Sequence, residues 1–148
     1  MEKLYNHLDH YDLELTVDSG IEIARPKGLF YTHPGIILGR NKYSLVEMVF
    51  HNHPNNGGPA IDSRAKYDNG SISYPTSNKS DSRYAVLIRS FEQLEAQNNY
   101  KLLDYNCQDA TKYSREGKFG SQGVANTLGT IAVVGILVAM FSDGKNKS

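Results

Sequence analysis

Leu29-Phe30-Tyr31-Thr32-His33-Pro34-Gly35-Ile36-Ile37-Leu38 is apolar apart from Thr32 and His33, and it runs into Gly39-Arg40-Asn41-Lys42. Tyr43-Ser44-Leu45-Val46-Glu47-Met48-Val49-Phe50 then resumes with β-branched and aromatic residues. Two strand-like runs joined by a short polar Gly/Asn turn predict an antiparallel hairpin, with strands over 29–38 and 43–50 and the turn at 39–42. His51-Asn52-His53-Pro54-Asn55-Asn56-Gly57-Gly58-Pro59 is dense in turn formers and predicts a loop leaving the second strand. A polar ring inside an apolar strand, as at His33, is either a hydrogen-bonded core residue or the member of a site. His51 or His53, at the end of the partner strand, can approach it across the ladder.

Upstream of the hairpin, Ile21-Glu22-Ile23-Ala24 alternates and stops at Pro26, with Lys27-Gly28 as the turn. Met1 to Ser19 is acidic and mixed, and its first part, Met1 to His10, is polar and carries no signal-peptide apolar core. His7 and His10, beside Asp9 and Asp12, have a spacing that could hold a metal on a helix face. No further ligand cluster with zinc-like spacing follows, so a solvated polar N-terminus accounts for them and no metal is expected.

Downstream, Ala60 to Ser82 reads as loop, with Ser71-Ile72-Ser73-Tyr74-Pro75 as a short edge strand because Pro75 cannot donate to a ladder. Asp81 or Ser82 can cap a helix reaching about Gln97, whose Tyr84, Leu87, Ile88, Phe91 and Leu94 recur at three- and four-residue steps and face the sheet. Asn98-Asn99 ends it. Tyr100 to Gly117 follows, with the single cysteine, Cys107, where a short apolar run gives way to a helical pattern that Gly117 closes. The fold class expected is therefore α+β, a small antiparallel sheet with packed helices.

The chain has 148 residues, 39% of them hydrophobic, enough for one domain with a real core. Sixteen Lys+Arg balance sixteen Asp+Glu, so no net charge steers it toward nucleic acid, and no nucleic-acid partner is expected. One cysteine makes no intramolecular disulfide, which fits a reducing compartment. Val124 to Phe141 is apolar apart from Asn126, Thr127 and Thr130, with Asp143, Lys145 and Lys147 after it. As a helix it would extend about 27 Å, close to the ~30 Å hydrocarbon core, and it is expected to anchor the chain in a membrane from the cytoplasmic side. A buried or amphipathic core helix is the alternative.

A cysteine in the first turn of a helix meets free N–H groups and the positive end of the macrodipole, which favour thiolate. A lone cysteine is also commonly a small buried hydrophobe. A cysteine nucleophile needs a base within hydrogen-bond reach and a third polar group that fixes the base. Cys107, His33 and His51 can supply that set, with His53 a rival for the third position.

These residues resemble a known family. His33-Pro34-Gly35-Ile36-Ile37-Leu38-Gly39 resembles the H-x-G-I-Y-x-G box of the lecithin-retinol acyltransferase-like proteins, which include the phospholipase A/acyltransferases. Val49-Phe50-His51 is similar to the V-I-H strand end that follows, and Tyr100 to Gln108 to the family's Y-N-L-L-x-N-N-C-E. Tyr113 to Gln122, with Gly117, Ser121 and Gln122, resembles W-C-R-x-G-x-x-x-S-x-Q. The resemblance implies a circularly permuted papain-like (NlpC-type) fold over 21–122, between a polar segment at 1–20, a membrane-anchoring helix at 123–142 and a polar tail at 143–148. It implies Cys107 as nucleophile, His33 as general base, His51 as the group orienting His33, and Tyr31 as an oxyanion donor with the N–H of Cys107. The implied reaction is acyl transfer from a membrane phospholipid through a cysteine thioester to water, an amine or a lyso-lipid hydroxyl, without metal or cofactor.

The chain departs from the pattern after the nucleophile, where N-C-E-H-F is Asn106-Cys107-Gln108-Asp109-Ala110, and at Ile37, where the box has tyrosine. Two other functions share these residues. One is a cysteine amidase or peptidase, the other a non-catalytic membrane-associated interaction protein, including viral 2A proteins of the H-box/NC type.

Overall fold

The computed structural model describes residues 1–53, 58–97 and 107–118, and within these the side chains of His53, Gln97 and residues 107–109 are outside the description. Its elements, in chain order, are α1 (Glu2–His10), β1 (Leu13–Glu14), β2 (Glu22–Lys27), β3 (Tyr31–Asn41), β4 (Glu47–His53), β5 (Gly58–Ser63), α2 (Arg64–Asp68), β6 (Tyr74–Pro75), α3 (Arg83–Gln97) and α4 (Cys107–Glu116). The class is α+β. Every strand pairing is antiparallel, in the order β5-β4-β3-β2-β6, with β1 paired to the far end of β3.

Period-two alternation divides the sheet into two faces. One presents Ile36, Leu38 and Phe50 to α1, α3 and α4, where they pack with Leu4, Leu8, Leu13, Val86, Phe91 and Ala110. Burial of a Phe or Leu side chain is worth about 1.5–3 kcal/mol, so this layer is the main source of cohesion. The other face carries Ile23, Ile37 and Val49 in a smaller cluster closed by Tyr67 of α2.

The hairpin is present, but its turn lies later than the sequence suggests. Gly39, Arg40 and Asn41 continue β3 past a register shift between Ile37 and Gly39. The chain reverses over residues 42–46, where the Asn41 carboxamide oxygen accepts from Tyr43 N at 3.0 Å and Ser44 N at 2.9 Å. An Asx-type turn thus takes the place of the Gly-Arg-Asn-Lys turn. The first strand begins at Tyr31 rather than Leu29, because Gly28 to Phe30 form the loop from β2. β2 runs through Pro26 to Lys27 rather than stopping at the proline.

Three further readings are corrected. His51, Asn52 and His53 belong to β4 and not to a loop, since all three pair with β5. Residues 58–68, read as loop, form β5 and α2, with Ser63 Oγ accepting from Lys66 N to cap the helix. The N-terminal stretch is not a solvated segment but a helix that buries Leu4, Leu8 and His7. His7 Nδ1 is paired with Glu95 Oε1 at 2.8 Å and its ring stacks on Phe91, so the ring ties α1 to α3.

The short edge strand at Tyr74–Pro75 forms at the edge, next to β2. In α3, Ser82 rather than Asp81 caps, accepting from Ala85 N at 3.3 Å, while Asp81 pairs with Arg89. The stretch 124–141 lies outside the described residues, and among these no helix is long and apolar enough to cross a membrane.

Candidate functional site: a buried His-His-Asp relay

Three neighbouring strands each contribute one polar side chain to the Tyr67 face. His33 Nε2 on β3 is 2.9 Å from His51 Nδ1 on β4, and His51 Nε2 is 2.8 Å from Asp62 Oδ2 on β5. The register explains the alignment. His51 lies opposite Ala60, so Asp62, two residues on, shares its face one diagonal step away. The β3–β4 ladder runs from Arg40↔Glu47 to Ile36↔Phe50, and beyond that pair β3 continues against β2 and β4 against β5. The His33–His51 hydrogen bond bridges the strands where they part.

Both imidazoles are buried, His33 at 1% exposure and His51 at 3%. An ionised carboxylate only accepts, so Asp62 requires the proton on His51 Nε2. Neutral His51 then accepts at Nδ1, and His33 must donate from Nε2. Neutral His33 therefore carries its basic lone pair on Nδ1. Taking a proton there makes His33 a cation whose Nε2–H is held by His51, which Asp62 in turn orients and polarises.

Asp62 is kept ionised. Burial pushes its carboxyl upward, but hydrogen bonds from Lys66 and His51 outweigh burial and hold it below the ordinary carboxylate value. Lys66 Nζ reaches Asp62 Oδ1 at 2.7 Å from the first turn of α2, and its side chain is 63% exposed. The relay thus ends in a cation that meets water.

Tyr67 closes the site from above. Its ring meets His51 edge-on at 5.3 Å and His33 at 5.6 Å, and its hydroxyl donates to the His33 carbonyl. The Arg25 guanidinium, on the residue opposite His33 in β2, lies 5.8 Å from the centre of the same ring. Gly35 makes room for this. A Cβ there would come within 2.7 Å of Val49 Cγ1 and 2.9 Å of Tyr67 Cε2. The glycine of the His33-Pro34-Gly35 box is thus required by the close approach of a tyrosine.

Cys107 is the first residue of α4, as the sequence predicts, and its side chain lies outside the described residues. The body of α4 packs across β3 and β4 on the Ile36/Phe50 face, through Ala110. Its C-terminal turn is fixed by a buried ion pair, Arg115 Nε to Glu22 Oε2 at 2.7 Å. Glu22 Oε1 also accepts from Thr76 Oγ1 and Asn78 Nδ2. Beside α4 opens a cleft of about 250 Å³, bordered by Thr32, Pro34, Thr111, Lys112 and Arg115. Thr111 stands four residues after Cys107, one turn along the same face of the helix.

Of the residues singled out in the sequence, the structure joins His33 and His51 directly. Tyr31 is 71% exposed at the start of β3, two residues from His33 and on its face by alternation. His53 ends β4, and its side chain is outside the description. Asp62 and Tyr67 are the members that sequence reasoning missed. The available signal was the Pro/Asn/Gly-rich composition before Ala60-Ile61-Asp62, and the antiparallel pairing of β5 with β4 places Asp62 diagonally from His51. No family model matches the chain, and no curated protein is similar to it.

Proposed function

We propose that the chain is a thiol-dependent acyltransferase or phospholipase A that acts on membrane phospholipids, with Cys107 as nucleophile and His33 as base. The observation that supports it most is the buried His33–His51–Asp62 relay, two of whose strands, β3 and β4, are crossed on their other face by the helix that Cys107 begins. A relay that fixes one tautomer and directs basicity to one nitrogen is what a cysteine nucleophile needs. Because Nε2 of His33 is committed to His51, Nδ1 is the nitrogen that exchanges a proton with the thiol. His33 lies on the Tyr67 face and the body of α4 on the Ile36/Phe50 face, so the proposed pair requires the start of α4 to reach Nδ1 where β3 and β4 part beyond Ile36↔Phe50.

In the proposed cycle, His33 Nδ1 removes the thiol proton and Cys107 attacks the ester carbonyl. The resulting oxyanion is held by N–H groups at the start of α4 and by Tyr31. Collapse expels the lyso-lipid oxygen, which takes the proton from His33 and leaves a thioester on Cys107. Water, an amine or a lyso-lipid hydroxyl then gives its proton to His33, attacks the thioester and releases the thiol. The cleft beside Thr111 and Lys112 receives the polar headgroup, and the apolar stretch 124–141 holds the domain at the cytoplasmic surface of the bilayer.

The test is intact-mass spectrometry of the full chain after mixing with phosphatidylcholine vesicles. An acyl adduct on Cys107 with release of lyso-lipid is expected in the wild type, with neither in Cys107→Ser and a strongly slowed adduct in His33→Ala. No adduct and no lyso-lipid from the wild type at any pH would leave the relay as a structural feature of a non-catalytic protein.

A further inference from the structure

The loop between β2 and β3 and the first residue of β3 expose three large apolar side chains in a row. Leu29 is 93% exposed, Phe30 90% and Tyr31 71%. Folding leaves Leu29 and Phe30 almost wholly in water, at a cost that a monomer ordinarily avoids by burying or replacing such residues. The loop also stands clear of the body. A Cβ added at Gly28 would meet nothing within 4 Å. It is nonetheless rigidly carried, because β2 and β3 are paired continuously from Glu22↔Ile36 to Lys27↔Tyr31. Ile72, 85% exposed, lies two residues before β6, the short strand that borders β2.

Charge around this tip is one-sided in an otherwise neutral chain. Between Glu22 and Glu47 there is no acidic residue, and of the four cations in that stretch Arg25 and Lys27 lie on the hairpin, whereas Arg40 and Lys42 sit at the far end of β3 in ion pairs with Glu14 and Asp9. A protein partner would need a broad complementary face of about 800 Å² on each side. A two-stranded tip is narrow and convex. A deformable interface rich in anions accepts such a wedge, with leucine and phenylalanine below the headgroups and a lysine among them.

We propose that the β2–β3 hairpin tip is a membrane wedge that inserts Leu29 and Phe30 into an anionic phospholipid surface while the exposed Lys27 pairs with the headgroup phosphates. Phe30 is three residues from His33, about 10 Å at the ~3.3 Å rise of a strand. Insertion of the tip therefore sets His33 near the level of the lipid ester groups. The wedge rests on this surface alone and stands whether or not the chain transfers acyl groups.

The chain has no tryptophan, so one introduced indole reports from one place. Phe30→Trp and, at the opposite β3–β4 turn, Tyr43→Trp (Tyr43 is 80% exposed) would each be mixed, as full-length protein, with phosphatidylcholine/phosphatidylserine vesicles containing doxyl-labelled lipid. The wedge predicts a blue shift and loss of most emission for Phe30→Trp, little change for Tyr43→Trp, and recovery of the emission when Lys27→Glu is added. Quenching of neither indole, or of both equally, would overturn it. A blue shift that grows with protein concentration in the absence of vesicles would overturn it in favour of a second copy of the chain. Equal quenching on pure phosphatidylcholine would overturn the anionic requirement. The same quenching is expected in a Cys107→Ala background, so a failed wedge and a failed acyl-transfer reading give different results.

Discussion

At the scale of single residues, the site is a chain of protonation constraints that starts at a carboxylate. Asp62→Asn keeps the shape but can donate as well as accept, so the tautomer of His51, and through it that of His33, is no longer imposed. The expected result is a fall of at least about tenfold in the alkylation rate of Cys107, and a stability loss of about 1–3 kcal/mol for an impaired buried hydrogen bond. Denaturant titration of both proteins separates the two effects. Asp62 also sets an acid limit. Its folded-state value lies below the ordinary 3.8, so its contribution to stability is complete above 3.8 and is lost as pH falls through the folded-state value. Acid unfolding of the wild type should therefore be steeper below 3.8 than that of Asp62→Asn. Gly35→Ala is expected to cost about 1–3 kcal/mol by overpacking against Val49 and Tyr67, and to disturb the tyrosine that closes over both imidazoles. Equal stability of that variant and the wild type would show that Tyr67 can step aside.

At the scale of elements, α4 is held at one end by a buried charge pair and leads at the other to Cys107. Removing Glu22 leaves the buried Arg115 with only Glu116 and the Lys79 carbonyl as partners, so Glu22→Leu should destabilise by about 3 kcal/mol in urea titration, and Glu22→Leu with Arg115→Met should recover most of that. If the single variant costs nothing, the Arg115–Glu22 pair does not anchor the helix. The elements also show what the sequence could convey. β3, α3 and α4 were legible because their apolar periodicity or caps are local signals, and His33 stood out as a polar ring in an apolar run. β5 and α2 were not, because Ala60 to Asp68 is short, mixed in polarity and defined by register with β4. Asp62 and Tyr67 went unread with them, since each acquires its role only when three strands are aligned. α1 was misread for a different reason. Its two buried leucines are outnumbered by polar residues, and the His7–Glu95 pair that fastens it joins positions 88 apart in the chain.

At the scale of the whole molecule, a neutral total charge conceals a basic, apolar-tipped hairpin next to a buried relay. The two features occupy the same end of β3, from Leu29 to His33. For the lipid substrate proposed above, a wedge in the interface would bring His33, a few residues behind it, close to the depth of the ester bonds. It also predicts a kinetic separation. Leu29→Ser with Phe30→Ser should lower the rate of acyl-adduct formation on vesicles while leaving iodoacetamide alkylation of Cys107 in solution unchanged, and a loss of both would mean that the tip supports the site structurally.

The central claim is that Cys107 and His33 form a reacting pair organised by His51 and Asp62. The most direct measurement is the pH dependence of Cys107 alkylation by iodoacetamide in the wild type and in His33→Ala. The account predicts a thiolate that titrates well below the ordinary thiol value of ~8.5 in the wild type, with that depression lost in the variant. Slow alkylation with an ordinary or raised titration point, unchanged by the substitution, would contradict it.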